Sequence, residues 1–135
     1  MPKIIWDDSF SVGSAEIDKQ HQKWIQIHNN LHDAIIGGKT DSDTTKRILK
    51  EMIDYCNYHF TEEEKYMKEI EFYGFSSHAK IHAAFAERLA VCAKKVESGT
   101  MILNRDLIQE TYNWLTHHIL IEDKKLISPN NKGDV

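Results

Sequence analysis

The sequence predicts an all-α fold, an antiparallel up-down-up-down four-helix bundle with an N-terminal arm, and three observations carry that reading. The 135 residues include only six Gly and two Pro, too few turn-formers for an all-β chain. Apolar residues recur at i, i+3, i+4 and i+7 in four successive stretches. Short breaks separate these stretches, so consecutive helices must run antiparallel. One domain of this length can bury a sizeable core unaided. The expected division is an arm over 1–13, a bundle over 14–128 and a polar tail over 129–135.

The arm, Met1 to Gly13, has no helical period and carries Trp6 and Phe10 among acids, as expected of a segment that packs across the domain. The first helix shows the stripe Ile17, His21, Trp24, Ile25, His28, Leu31, His32 and Ile35, and Gly37-Gly38 ends it. Asp41 or Ser42 is the expected cap of the second, whose stripe of Ile48, Leu49, Met52, Ile53, Cys56, His59, Phe60, Glu63 and Met67 runs to about Ile70. After the break Glu71-Phe72-Tyr73-Gly74, Ser76 or Ser77 is expected to cap the third. Its inward face is His78, Ile81, His82, Phe85, Leu89, Cys92 and Val96, and it stops at Gly99. Asn104 is the expected cap of the fourth, with Leu107, Ile108, Thr111, Leu115, His118, Ile119, Glu122 and Leu126 inward and Ser128-Pro129 closing it.

Charge and composition exclude several functions. Lys plus Arg is 17 against 21 for Asp plus Glu, a net charge of −4, and no basic cluster offers a nucleic-acid face. No apolar run approaches the roughly 18 residues of a membrane span, and the N-terminus lacks a basic region followed by an apolar core. A soluble, cytoplasmic domain without membrane contact is the expectation. Cys56 and Cys92 are too few for a zinc quartet and fall within helical patterns, so they read as reduced core thiols.

Eight histidines are the compositional anomaly. His59 and Glu63 stand four apart, as do His78 and His82, and residues at that spacing lie only about 40° from alignment on a helix. The last helix adds His118 beside Glu122 and Asp123, and the first adds His21. Counting at 1.5 Å per residue from the end shared by the first and third turns, His21, His59, His82 and His118 all lie about 21 to 25 Å down. Four helices therefore deliver polar side chains to one slab. By the same count His28 and His32 lie only about 8 to 14 Å down and read as core or edge packing. His117 points about 100° away from His118, to the surface or rim.

Five imidazoles and two carboxylates buried at one level would be costly as bare polar groups, and a metal removes that cost. Nitrogen and oxygen donors without thiolates suit iron or manganese in six-coordinate geometry. Seven protein ligands suffice for two ions. With two bridging carboxylates and one bridging solvent oxygen, the ion with three histidines is filled and the ion with two keeps one open position. Glu-x-x-His pairs, which mark the ferritin-like oxidases, are absent here; only Asp18 precedes a histidine, His21, at that spacing.

Five segments together resemble the hemerythrin family, its bacterial members in particular. They are Trp6; Ile17-Asp18-Lys19-Gln20-His21; His59-Phe60-Thr61-Glu62-Glu63; His78-Ala79-Lys80-Ile81-His82; and Trp114-Leu115-Thr116-His117-His118-Ile119 with Asp123. The resemblance implies that His78, His82 and His118 hold one iron and His21 and His59 the other, with Glu63, Asp123 and an oxo or hydroxo group bridging. It also implies reversible O2 binding at the five-coordinate iron, both irons passing from ferrous to ferric. On a regular helix Glu122, four residues past His118, is better placed than Asp123 at about 140°; the resemblance favours Asp123.

Phe60, Trp114, Leu115 and Ile119 are candidates for an apolar wall around the O2 position, with Trp6 a candidate cover. The leading expectation is a non-enzymatic O2 carrier, store or sensor; a sensor would have a signalling domain in the same parent chain. A di-iron enzyme handling peroxide or nitric oxide, or an iron-handling protein, is the alternative. For an enzyme, Glu62 and His117 are the nearest ionisable candidates by sequence.

Overall fold

The structure is a computed structural model that describes residues 3–38, 43–99 and 105–127. Four helices carry the fold: α1 Ala15–Ile36, α2 Asp43–Glu69, α3 Phe75–Glu97 and α4 Arg105–His117. Among the described residues there is no strand, and no helix is long and apolar enough to cross a membrane. Each helix turns its apolar stripe inward, and Trp24, Ile27, Leu31, Met52, Ile108 and Leu115 form the most deeply buried layers. α1 packs closely on α2 and α4, and α2 on α3.

The helix ends follow local chemistry. Ser14 caps α1, its hydroxyl accepting from the Ile17 amide at 3.3 Å. At the other end Gly38 takes φ +81°, the left-handed conformation that glycine enters without a Cβ penalty. α3 departs from expectation: Gly74 holds the cap position with no side-chain bond, and Ser76 and Ser77 fall inside the first turn. The chain is already turning there, because the Phe75 amide donates to Phe72 O and the His78 amide to Gly74 O. The expected caps Asp41, Ser42 and Asn104 and the stop at Ser128-Pro129 lie outside the described residues.

The arm is tied across the bundle by side chains of α1. Asn29 pairs with both backbone groups of Ile4, at 2.9 and 2.8 Å. Asp18 accepts from Ser11 Oγ at 2.6 Å and from the Val12 amide at 2.8 Å. Ile4, Phe10 and Val12 are buried, and the half-buried Trp6 stacks on Phe10 at 5.6 Å. Gly13 follows at φ +82°, where a Cβ would meet Ile127 Cγ2 at 2.9 Å, so the arm reaches α1 only through glycine.

The two cysteines are buried thiols, not joined to each other, as expected. His28 is buried core, also as expected, and donates from Nδ1 to Thr111 Oγ1 at 3.1 Å while the Thr111 hydroxyl donates to Ile108 O. Burial, with a smaller contribution from His32, lowers its pKa to about 4. The unfolded chain then binds a proton near pH 6.5 that the folded chain refuses until about pH 4. Stability from this group is complete above pH 6.5 and is lost as pH falls toward 4, by about 3 kcal/mol in all. Urea unfolding of the native chain and of His28→Leu at pH 7 and pH 5 checks this: the native chain should lose more stability between the two pH values than the variant.

Candidate metal centre

All seven side chains singled out by sequence meet in one buried cluster. Helix α1 supplies His21, α2 supplies His59 and Glu63, and α3 supplies His78 and His82. Each of the seven is at most 2% exposed. The remaining two, His118 and Asp123, come from a segment that is no longer α-helical.

After His117 the backbone widens into a π-turn over His118–Glu122 and then tightens into a 3-10 turn over Asp123–Ile127. The Asp123 amide donates to His118 O, an i to i+5 bond. Such a bond sets residues five apart in line, so Asp123 replaces Glu122 above His118. The expected inward position of Glu122 is thereby corrected: Glu122 lies beside Lys125 at 3.2 Å and is outside the cluster. Its neighbour His117 is exposed, as anticipated.

The cluster divides into two halves at the two carboxylates. Glu63 Oε2 lies 3.3 Å from both His21 Nε2 and His59 Nε2, and Asp123 Oδ2 lies 3.0 Å from His21 Nε2. On the other side Glu63 Oε1 lies 2.9 Å from His78 Nε2 and 3.1 Å from His82 Nε2. Asp123 Oδ1 lies 2.9 Å from His78 Nε2 and 3.1 Å from His118 Nε2. Each carboxylate thus gives one oxygen to a two-histidine half and the other to a three-histidine half.

These spacings fit metal ions. Octahedral ligands about 2.1 Å from an ion stand about 3.0 Å apart when adjacent. Several of the converging atoms make no hydrogen bond: His21 Nε2, His59 Nε2, Glu63 Oε2 and both Asp123 oxygens are buried without one. His82 Nε2 and His118 Nε2 face each other at 3.0 Å, two ring nitrogens turned to one point. Buried and unpartnered, each such atom would cost about 1–3 kcal/mol. Cations in both halves would satisfy them all.

Electrostatics agree. Burial favours neutral carboxyls, but the surrounding imidazoles prevail and hold Glu63 and Asp123 well below the usual carboxylate range. Burial likewise opposes charge on His21 and His78, yet Asp123 and Glu63 outweigh it and raise both to about 9. The carboxylate pair is therefore a strong attractor of positive charge, and metal entry must displace protons from these imidazoles.

Two orienting residues were not singled out by sequence reasoning. His59 Nδ1 donates to Gln20 Oε1 at 2.8 Å, leaving the unprotonated Nε2 with its lone pair toward the half-site. Gln20 is itself steadied by donating to Glu16 at 3.2 Å. His82 Nδ1 donates to Glu64 Oε2 at 2.9 Å. A signal for Gln20 was present: it lies three residues after Ile17 and four before Trp24, so it is a polar residue on the core stripe. Gln20→Leu removes the His59 partner at nearly constant volume. Metal affinity of the two-histidine half should fall by about 10–100-fold, measured by competition with a chelator of known affinity.

Aromatic rings jacket the cluster. Phe60 stacks on His82 at 3.9 Å and Trp114 on His118 at 4.4 Å, so two of the four expected wall residues lie flat against imidazoles of the three-histidine half. Leu115 and Ile119 are buried in the same core. Trp24, which the sequence placed only in the core stripe, packs 5.2 Å from His59. Trp6 packs on the core beside Phe10.

Comparison with known proteins agrees with this geometry. The hemerythrin HHE cation binding domain family matches residues 12–128. The chain is 28% identical to a bacteriohemerythrin of Pseudomonas aeruginosa strain PAO1, over 91% of this chain and 78% of that protein. It is 32% identical to a hemerythrin-like protein of Naegleria gruberi, over 89% of this chain and 87% of the other. A crystal structure of wild-type hemerythrin superimposes with a TM-score of 0.85 at 28% identity, covering 93% of this chain and 98% of that one. The chain belongs to the hemerythrin family of HHE cation-binding domains.

Proposed function

We propose that this protein binds O2 reversibly at a non-heme di-iron centre and is not an enzyme. The observation that carries the reading is the unequal division of histidines, three against two, across two carboxylates that each serve both halves. His78, His82 and His118 would hold one iron and His21 and His59 the other, with Glu63 and Asp123 shared between them. The half with one histidine fewer offers its ion one protein donor fewer, so that ion would be the one with room for a small molecule. Two ferrous ions supply the electrons that reversible O2 binding uses.

The protein's own groups serve retention. Gln20 and Glu64 fix the rings of His59 and His82. Phe60, Trp114, Leu115 and Ile119, with Trp24, keep the surroundings apolar, which disfavours the water and anions that promote autoxidation. Of the two candidate proton donors for an enzymatic reading, His117 is exposed and Glu62 lines a surface cleft; neither belongs to the cluster. That supports binding over turnover.

A sensing role draws on one contact. The turn Asp8–Phe10 of the arm lies against the turn His118–Glu122 that carries a cluster histidine, so a shift at the centre can reach the arm. Limited proteolysis of the arm in deoxy and oxy protein separates sensing from carriage or storage, since only sensing requires a difference. The function itself is tested by O2 uptake: the ferrous protein should take up one O2 per pair of irons and release it under vacuum. Uptake that cannot be reversed would contradict it.

A further inference from the structure

The helices do not close the bundle evenly. Between α3 and α4 a groove of about 520 Å³ opens, with Phe85, Leu89, Cys92 and Leu107 in its lining and the Arg88–Glu110 ion pair spanning the seam. Phe85 is 3% exposed and lines this groove, yet it is also the first of a chain of rings that leads inward. Its ring stacks on Trp114 at 3.8 Å and lies 6.4 Å from Trp24, and Trp24 lies 5.2 Å from His59 in the two-histidine half. The line from groove to cluster is apolar until it meets the imidazole.

A second approach exists between α1 and α2. There a cleft of about 190 Å³ is rimmed by Glu16, Glu62, Lys65 and Glu69, much as the groove is rimmed by Glu87, Arg88, Lys95 and Glu110, but it ends at the polar Gln20, which is hydrogen-bonded to both His59 and Glu16. The rims are alike and the floors differ: the cleft closes on an amide held by two hydrogen bonds that an apolar molecule cannot replace, whereas the groove closes on the buried Phe85 and Leu89. The interior behind Phe85, built of the Trp114 and Trp24 rings, is apolar, and apolar surroundings take up apolar gases.

We propose that O2 enters through the α3–α4 groove, with Phe85 as the barrier and Trp24 as the inner wall that delivers it to the two-histidine half. This assignment rests on the O2-binding reading, but the route is tested without iron. The full chain is loaded with zinc(II), which occupies nitrogen and oxygen donors and has no redox chemistry. Trp6→Phe and Trp114→Phe leave Trp24 as the only tryptophan, 1% exposed, and quenching of its fluorescence by dissolved O2 reports arrival of the gas.

Phe85→Leu, which shortens the barrier, should at least double the quenching constant. Ala84→Phe, which adds bulk at the exposed rim of the same groove, should lower it. Iodide should quench weakly in all three chains. The same variants loaded with ferrous iron should change the O2 association rate in the same directions. Quenching that neither variant alters, or that responds instead to Ile17→Phe in the α1–α2 cleft, overturns the route. Quenching that follows the groove variants in zinc protein whose iron form takes up no O2 would uphold the route as a gas passage and contradict the O2-binding function.

Discussion

Glu63→Gln is expected to abolish binding of both metal ions while leaving an all-helical chain. The reason is the position of the side chain: its two oxygens approach His21 and His59 on one side and His78 and His82 on the other. An amide of the same shape offers one weak acceptor and an NH2 group that points hydrogens at one of the halves. The carboxylate charge that attracts cations is lost as well. Folding stability should drop with the metal, because an ion that binds only the folded chain contributes about 2.7 kcal/mol at a free concentration a hundredfold above its Kd. Metal analysis after gel filtration and thermal unfolding with and without ferrous ion check both effects: the variant should carry no stoichiometric metal, and its Tm should not respond to added ion.

The second large effect separates two adjacent acids. Asp123→Ala should remove metal binding at both halves or leave it too weak to survive desalting, whereas Glu122→Ala should retain two ions. Asp123 is fully buried and lies 2.9 to 3.1 Å from three of the cluster histidines. Glu122 pairs with Lys125 near the surface. Were the fourth helix a regular α-helix through this segment, the outcomes would be reversed. Metal content of the two variants therefore reads the backbone geometry as well as the ligand set.

That segment also marks the limit of what the sequence revealed. The four helices and the slab of histidines follow from the 3.6-residue period and a count of rise per residue, which depend on local spacing alone. Gly37-Gly38 could be read as a stop because a left-handed residue is cheap only for glycine, and Gly38 has φ +81°. The π-turn at His118–Glu122 could not be read in this way. Nothing in His-Ile-Leu-Ile-Glu announces an i to i+5 bond; the resemblance selected Asp123 where helical angles favoured Glu122. The cap of α3 was misplaced for a related reason. Two serines look like caps, but the turn formed by Phe72 and Gly74 had already started the helix. The orienting bonds of Gln20 and Glu64 join different helices, 39 and 18 residues apart in the chain, and periodicity within one helix is blind to them.

The central claim is a pair of irons, held by three and two histidines, that takes up O2 and gives it back. The most direct test is to load the protein with ferrous iron without oxygen, count bound iron, and record the visible spectrum through cycles of O2 admission and removal. Two irons per chain, with a visible absorption band that rises with O2 and vanishes without it, is the expected result. One iron per chain, or a spectrum that moves once to the ferric form and never returns, would contradict the account.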